Sequence, residues 1–241
     1  MTSAALPARG DAPLAGRSAV VTGASRGIGA ATVRALCVAG ARVVGISRTA
    51  GAAVPNAITI QCDLLDPAGV ADAIVGVERA LGGAPDILVN NAGVFAASPV
   101  DETTAATFGA LVALNLSVPF ALVHAFLPAM RKRGRGDIVT VGSIADHEAL
   151  PGNGAYAASK FGARGLHEVL RAELAGSGVR ATLVSPAAVD TSLWDAIDPG
   201  ERSRFPSREA MLRADDVADA ILYAVTRPAR VAIGEIRLAK S

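Results

Sequence analysis

Seven short apolar runs, at 18–22, 42–47, 58–62, 86–90, 137–142, 179–185 and 231–238, alternate with longer stretches of helical periodicity. Most runs are β-branched and nearly continuous, the pattern of strands covered on both faces. The intervening stretches, at 28–39, 68–81, 105–131, 155–175 and 214–226, repeat apolar residues at helical spacing. Strands alternating with helices specify a parallel sheet flanked by helices on both faces, the doubly wound Rossmann-type α/β arrangement. At 241 residues the chain is about the upper size of one hydrophobic core, so a single α/β domain is expected over 16–241. Irregular stretches fall at 50–56, 92–104, 143–154 and 187–211. Three of them directly follow a strand end, where an open parallel sheet binds its ligands.

Composition narrows the class further. The chain is 51% hydrophobic and 19% charged with a mean hydropathy of +0.39, which excludes a disordered protein. Aromatics are only 4%, so the core is built from Ala, Val, Leu and Ile. The 23 Lys and Arg against 22 Asp and Glu leave a net charge of +1, which argues against a nucleic-acid partner held by its phosphates. Cys37 and Cys62 are too few for a disulfide framework and read as buried free thiols in a reducing compartment. No histidine and cysteine cluster suggests a metal site. Residues 1–15, with Pro7, Arg9, Asp11 and Pro13, lack the apolar run of a signal peptide and read as a loose tail. The stretch 111–127 contains Asn115, Ser117, Pro119 and His124 and is shorter than the ~20 apolar residues of a membrane span. It is expected to be a buried helix, and the protein to be cytoplasmic with no membrane partner.

The first apolar run leads into Thr22-Gly23-Ala24-Ser25-Arg26-Gly27-Ile28-Gly29 and then a helix. Glycines there allow a tight turn and let a phosphate approach the helix N-terminus, where unpaired N–H groups favour an anion. The alternative is a tight strand–helix turn with no ligand, which the loop's place as the first such turn of an alternating strand–helix pattern disfavours.

Further motifs follow in order: Asp63 after the third run, Asn90-Asn91-Ala92-Gly93, Asn115, Ser143, and Tyr156-Ala157-Ala158-Ser159-Lys160. With the glycine loop they make the chain, from about 14 to 238, resemble the short-chain dehydrogenases/reductases of the NADP(H)-preferring type. Cofactor choice is read at the end of the second run, where an acidic residue would accept the ribose 2′-OH and repel a 2′-phosphate. Ser47 stands there, followed by Arg48 and Thr49, and Arg26 lies in the glycine loop. Two guanidiniums beside a missing acid point to NADP(H), against the alternative that both are solvated. The resemblance implies that Gly23, Ser25, Gly27, Ile28 and Gly29 carry the phosphates, that Asp63 takes the adenine amino group and Leu64 lines the base. It also implies that Asn91, Ala92 and Gly93 support the ribose, and that Pro186, Ala187, Val189 and Thr191 hold the nicotinamide. Ala187 departs from the family's usual glycine. For Asp63 a simple turn or cap aspartate is the alternative.

Tyr156 and Lys160 are four residues apart and share one helix face. An ammonium beside the phenol favours phenolate and lowers the tyrosine pKa, which suits a proton donor working near neutral pH. The resemblance implies Tyr156 as general acid/base, Ser143 as the group that hydrogen-bonds the substrate carbonyl, Lys160 as ribose ligand, and Asn115 as the holder of a water relaying protons to Lys160. The lid is expected over about 191–212. Its Trp194 and Phe205 would cover a flat apolar ketone, or Arg202, Arg204 and Arg208 would select an anion, with salt-bridging to Glu201 and Glu209 as the plainer reading. His147 is pocket wall or exposed loop, and His124 and His167 are core or interface residues. The expected activity is an oxidoreductase that transfers hydride between nicotinamide and a ketone or secondary alcohol. Its substrate is either a small 3-oxo or 3-hydroxy acid or a polycyclic, polyketide-type ketone. A homodimer or homotetramer is expected. The rival reading is an NADP(H)-sensing regulator or scaffold without turnover.

Overall fold

A computed structural model describes residues 12–195 and 205–241. Seven parallel strands form one sheet in the order β3-β2-β1-β4-β5-β6-β7. They are β1 Ser18–Thr22, β2 Arg42–Ser47, β3 Ala57–Gln61, β4 Ile87–Asn90, β5 Gly136–Val141, β6 Val179–Pro186 and β7 Glu235–Leu238. The helices are α1 Gly27–Val38, α2 Pro67–Leu81, α3 Ala105–Val112, α4 Val118–Arg133, α5 Gly154–Glu173 and α6 Ala214–Val225.

Successive strand residues point to opposite faces, and the core divides accordingly. Ala19, Val21, Val43, Ile87, Val89 and Val139 pack against Val33 and Leu36 of α1 and Val217 and Ile221 of α6. Val20, Val44, Leu88 and Ile138 pack against Val70 and Val77 of α2, Leu122, Phe126 and Met130 of α4, and Leu170 of α5. The continuous apolar runs of β1, β2, β4, β5 and β6 are buried on both faces as that pattern predicts, whereas edge strand β3 leaves Ile58, Thr59 and Gln61 exposed.

Several expectations are corrected. The last strand is four residues long instead of eight. The preceding carbonyls bond to β6 side chains instead of a ladder: Arg180 donates to Arg227, Pro228 and Val231, and Thr182 to Ile233. Residues 12–15 are not loose, since Leu14 is buried and its N–H donates to the Ala39 carbonyl; the rest of the expected tail lies outside the described residues. Cys37 is buried but Cys62 is only half-buried. The helix expected over 105–131 forms as α3, one π-helical turn at Ala113–Ser117 and α4, which run on as Ala105–Arg133 and are, against the shorter apolar stretch 111–127, long and apolar enough to cross a membrane by length and composition. It packs against the sheet through Leu122, Phe126 and Met130, all fully buried.

Candidate active site

Parallel strands place the ends of β1, β2, β4, β5 and β6 on one edge of the sheet, and the chemistry-bearing residues gather there. The glycine loop follows β1. Gly23 has φ +66°, and a side chain on Gly29 would collide with the Gly23 carbonyl, so only glycine fits that crossing. Asn91 braces the loop by donating to the Thr22 carbonyl at 2.8 Å, while Thr22 Oγ1 accepts the N–H groups of Asn91 and Ala92.

The N-terminus of α1 carries no side-chain cap. Its unfilled N–H groups border a cavity of about 390 Å³ lined by Gly23, Ser25, Arg26, Gly27, Ile28, Ser47, Arg48, Thr49, Asp63, Leu64, Asn91, Ala92, Gly93 and Thr191. An uncapped helix end, a glycine cradle and two arginines fit an elongated, phosphorylated ligand such as a dinucleotide. Arg26 and Arg48 are exposed and make no ion pair among the described residues, and no carboxylate follows Ser47. Asp63 spends one oxygen on the Leu65 N–H at 3.0 Å, a turn contact. Pro186, Ala187 and Val189 lie outside this lining. Val189 is buried and its carbonyl accepts the Trp194 indole N–H at 3.0 Å.

Val94 and Leu114 continue the cavity wall. Asn115, in the π turn, is buried and fully engaged. Its Oδ1 accepts the Val94 N–H, and its amide donates to the Val94 carbonyl and to Ser159 Oγ, each at 3.0 Å. Both side-chain N–H groups are therefore spent on protein, and Asn115 ties the loop after β4 to α5. Ser159 in turn donates to the Tyr156 carbonyl at 2.7 Å.

Tyr156 and Lys160 sit in the first turns of α5. Lys160 is buried, donates to the Val141 carbonyl at 3.0 Å and has its Nζ 5.7 Å from the Tyr156 ring centre. Ser143, at the end of β5, hydrogen-bonds the phenol. The expected lowering of the tyrosine pKa is not what the geometry produces. Burial pushes Tyr156 up to about 12, opposed by the Ser143 hydrogen bond, with the Asp146 charge raising it further. Burial likewise pushes Lys160 down to about 8, with Asp146 acting to raise it. Desolvation penalises both charged forms, phenolate and ammonium alike.

Above Tyr156 lies an aromatic cluster. Phe95 meets Tyr156 edge to face at 4.8 Å, Trp194 at 5.4 Å and Phe205 at 5.8 Å, and Trp194 meets Phe205 at 5.1 Å. In a chain with one Trp, two Tyr and six Phe, three gather beside the candidate proton donor, Phe95 against Tyr156 and Trp194 and Phe205 against Phe95. Phe95 escaped the sequence reading; an aromatic two residues beyond the Asn-Asn-Ala-Gly motif was the available signal.

Arg208 is committed to Asp190 at 2.8 Å and Asp195 at 2.7 Å, whereas Arg202, Arg204 and Glu201 lie outside the described residues. His147 is not a pocket wall. Its Nε2 lies 2.6 Å from Glu235 and 3.2 Å from Asp146, and Arg237 donates to its Nδ1 at 2.8 Å, tying it to β7. His167 is buried, bonded through Nε2 to the Gly234 carbonyl at 2.9 Å, and burial lowers its pKa. His124 stacks on Phe120 at the exposed face of α4.

Residues 17–202 match the family profile described as short chain dehydrogenase. A D-threitol dehydrogenase of Mycolicibacterium smegmatis is 38% identical over 199 residues, 77% of this chain and 76% of that protein. A glycine betaine reductase of Emericella nidulans is 34% identical over 93% of this chain, which spans only 19% of that longer protein. Among solved structures, a metagenomic short-chain oxidoreductase in complex with NADP superposes with a TM-score of 0.78 at 34% identity, covering 95% of this chain and 99% of the other.

Proposed function

The chain belongs to the short-chain dehydrogenase family, and from that premise we propose that it is an NADP(H)-dependent carbonyl reductase, or in reverse a secondary-alcohol dehydrogenase, acting on an apolar ketone. The observation that carries this reading is the assembly of Ser143, Tyr156 and Lys160 beside the glycine-loop cavity, with the Ser143 hydroxyl bonded to the phenol. NADP(H) is supported by Arg26 and Arg48 on a cavity without a carboxylate after Ser47, and by the NADP bound in a similar solved structure.

Ser143 and Tyr156 present their hydroxyls to one substrate oxygen. Tyr156 protonates that oxygen as it gains negative charge, and Ser143 donates a hydrogen bond to it. When bound, the reduced nicotinamide supplies hydride to the carbonyl carbon. Lys160, one turn along α5, provides the positive charge nearest the phenol, and Asn115 holds the Val94 loop and α5 in mutual register.

The wall of Phe95, Trp194 and Phe205 favours a ketone with a flat or apolar body over a small hydroxy acid, and Arg208 is already spent on two aspartates. Exposed Phe108, Phe120, Phe161 and Val169 on α3, α4 and α5 support pairing with a second copy.

The test is side-by-side oxidation of NADPH and NADH across carbonyl compounds from short 3-oxo acids to polycyclic ketones, with Tyr156→Phe as control. NADPH consumption with an apolar ketone, lost in Tyr156→Phe while NADPH binding persists, is the expected result. A preference for NADH sinks the cofactor reading. Binding without turnover on any carbonyl leaves the sensor reading standing.

A further inference from the structure

One buried carboxylate beside the site has no part in the scheme above. Asp146, in the short 3-10 turn Ile144–Asp146 that follows Ser143, is 0% exposed. Its Oδ2 accepts the Ser143 backbone N–H at 2.9 Å and the Ser185 hydroxyl at 2.8 Å. Ser143 Oγ in turn accepts the Ala145 N–H at 3.2 Å, closing a reciprocal capping box. Gly142 precedes this box, and any side chain there would collide with Asp146 Oδ2. Ser143, the residue that bonds the phenol, is thus held by Asp146 to the end of β6.

No lysine or arginine pairs with the Asp146 carboxylate among the described residues. Its Oδ1 makes no hydrogen bond and faces only His147 Nε2, at 3.2 Å. On its other side the His147 ring meets Arg237 through Nδ1, at 2.8 Å. From β7, Glu235 lies 2.6 Å from that same Nε2 and Arg237 pairs with Glu235. From α5, Arg164 reaches only the Asp146 backbone carbonyl, at 3.5 Å, and the remaining titratable groups are Tyr156 and Lys160. A carboxylate buried without a matched cation is expensive.

We propose that Asp146 is a positioning residue for this reaction, clamping Ser143 to Ser185 so that the Ser143 hydroxyl stays on the phenol, and favouring the protonated, proton-donating state of Tyr156 through its buried negative charge. The charge acts toward that state, since Asp146 raises the pKa of both Tyr156 and Lys160 and so disfavours the phenolate that would take a proton from an alcohol. A tyrosine that keeps its proton is poised to give one to a carbonyl oxygen. The inference therefore deepens the reductase reading and rests on it.

Two variants separate the clamp from the charge. Asp146→Asn keeps an oxygen for Ser143 and Ser185 and removes the charge. In the holoenzyme its pH profile for alcohol oxidation should move toward acid by about one pH unit, the size of a typical environmental shift, with kcat at the optimum held within about threefold. Asp146→Ala also removes the clamp. Its kcat should fall about 100-fold in both directions, the usual penalty for a small misplacement, while the KM for NADPH stays within about threefold. A merely structural role would move neither the pH profile nor the kcat-to-KM split, and Asn would not rescue Ala.

A second readout needs no turnover. The chain has two tyrosines, so in a Tyr223→Phe background the phenolate absorbance reports Tyr156 alone. Adding Asp146→Asn should bring that absorbance in at lower pH. Should wild-type protein reduce no carbonyl compound, the reductase reading fails and the phenolate titration still decides the role of Asp146. Should Asp146→Ala fail to fold, as judged by its melting curve, Asp146→Asn carries the test. An Asn variant with an unshifted phenolate, or an unshifted pH profile, overturns the proposal.

Discussion

Phe95 meets the ring of Tyr156 edge to face, with centroids 4.8 Å apart and planes at 84°. The contact joins the loop after β4 to the first turn of α5, so the phenol is walled by an aromatic edge on one side and tied to Ser143 on the other. Replacing Phe95 by Ala removes the ring on which Tyr156, Trp194 and Phe205 all lean. We expect KM for an apolar ketone to rise roughly 3- to 10-fold, consistent with the energy of an aromatic pair, with NADPH affinity unchanged. Steady-state kinetics with both ligands varied checks this. An unchanged ketone KM would remove Phe95 from the substrate wall.

Arg48 and Arg26 border the cavity without acidic partners among the described residues. Arg48→Ala should weaken NADPH binding about 10- to 100-fold, the range for a lost hydrogen bond to a charged group, and leave NADH binding nearly as it was. Fluorescence titration with each nucleotide reads the difference. Equal losses for the two would mean that Arg48 does not face the 2′-phosphate.

Lys160 and Tyr156 make stability depend on alkaline pH with opposite signs. Lys160 ionises at about 8 in the fold against an ordinary 10.5, so the unfolded chain binds more protons between those values and stability rises with pH across them. Tyr156 keeps its proton up to about 12 against an ordinary 10.0, so the stability it contributes is present below pH 10 and is lost as pH climbs from there toward 12. Thermal melts between pH 7 and 11 should show Lys160→Met losing the rising limb and Tyr156→Phe losing the falling one. Variants whose melting curves run parallel to wild type throughout would contradict both assignments.

Asp137 lies at the start of β5, away from the catalytic edge, and is paired with Arg17 at 2.6 Å and with Arg180 at 2.7 Å. Its side chain is almost fully buried, so removing it leaves two guanidiniums with backbone-carbonyl partners and no carboxylate. Asp137→Ala should destabilise the fold by about 3–5 kcal/mol, as breaking a buried pair does, with kcat unaffected. Chemical denaturation gives the first quantity and turnover the second. A drop in kcat at full folding would place Asp137 in the reaction.

Much of the fold was legible because it is encoded locally. Strand β1 and strand β2 fall at their expected residues, and each helix begins or ends within two or three residues of its apolar pattern. The glycine loop and the Tyr156–Lys160 spacing are likewise short-range signals, since steric limits at Gly23 and Gly29 and one helical turn in α5 act within a few residues. Asp146 also left a local mark, the Ser-x-x-acid spacing of a capping box from Ser143, though its charge has no consequence until Ser185 and Tyr156 arrive beside it.

What the tertiary structure alone decided are relations between distant segments. Phe95, Tyr156, Trp194 and Phe205 come from loops that meet only because parallel strands deliver their ends to one edge. His147, left open as pocket wall or exposed loop, turns to Glu235 and Arg237, because β7 pairs with β6 beside it. The amide of Asn115 is consumed by Val94 and Ser159, a fact set by how a π turn packs on α5. The Tyr156 proton is held by desolvation, with the Ser143 hydrogen bond acting against it. Periodicity and motif spacing determine which elements form and in what order. Burial, and with it the charge each side chain carries, exists only once the sheet has closed over them.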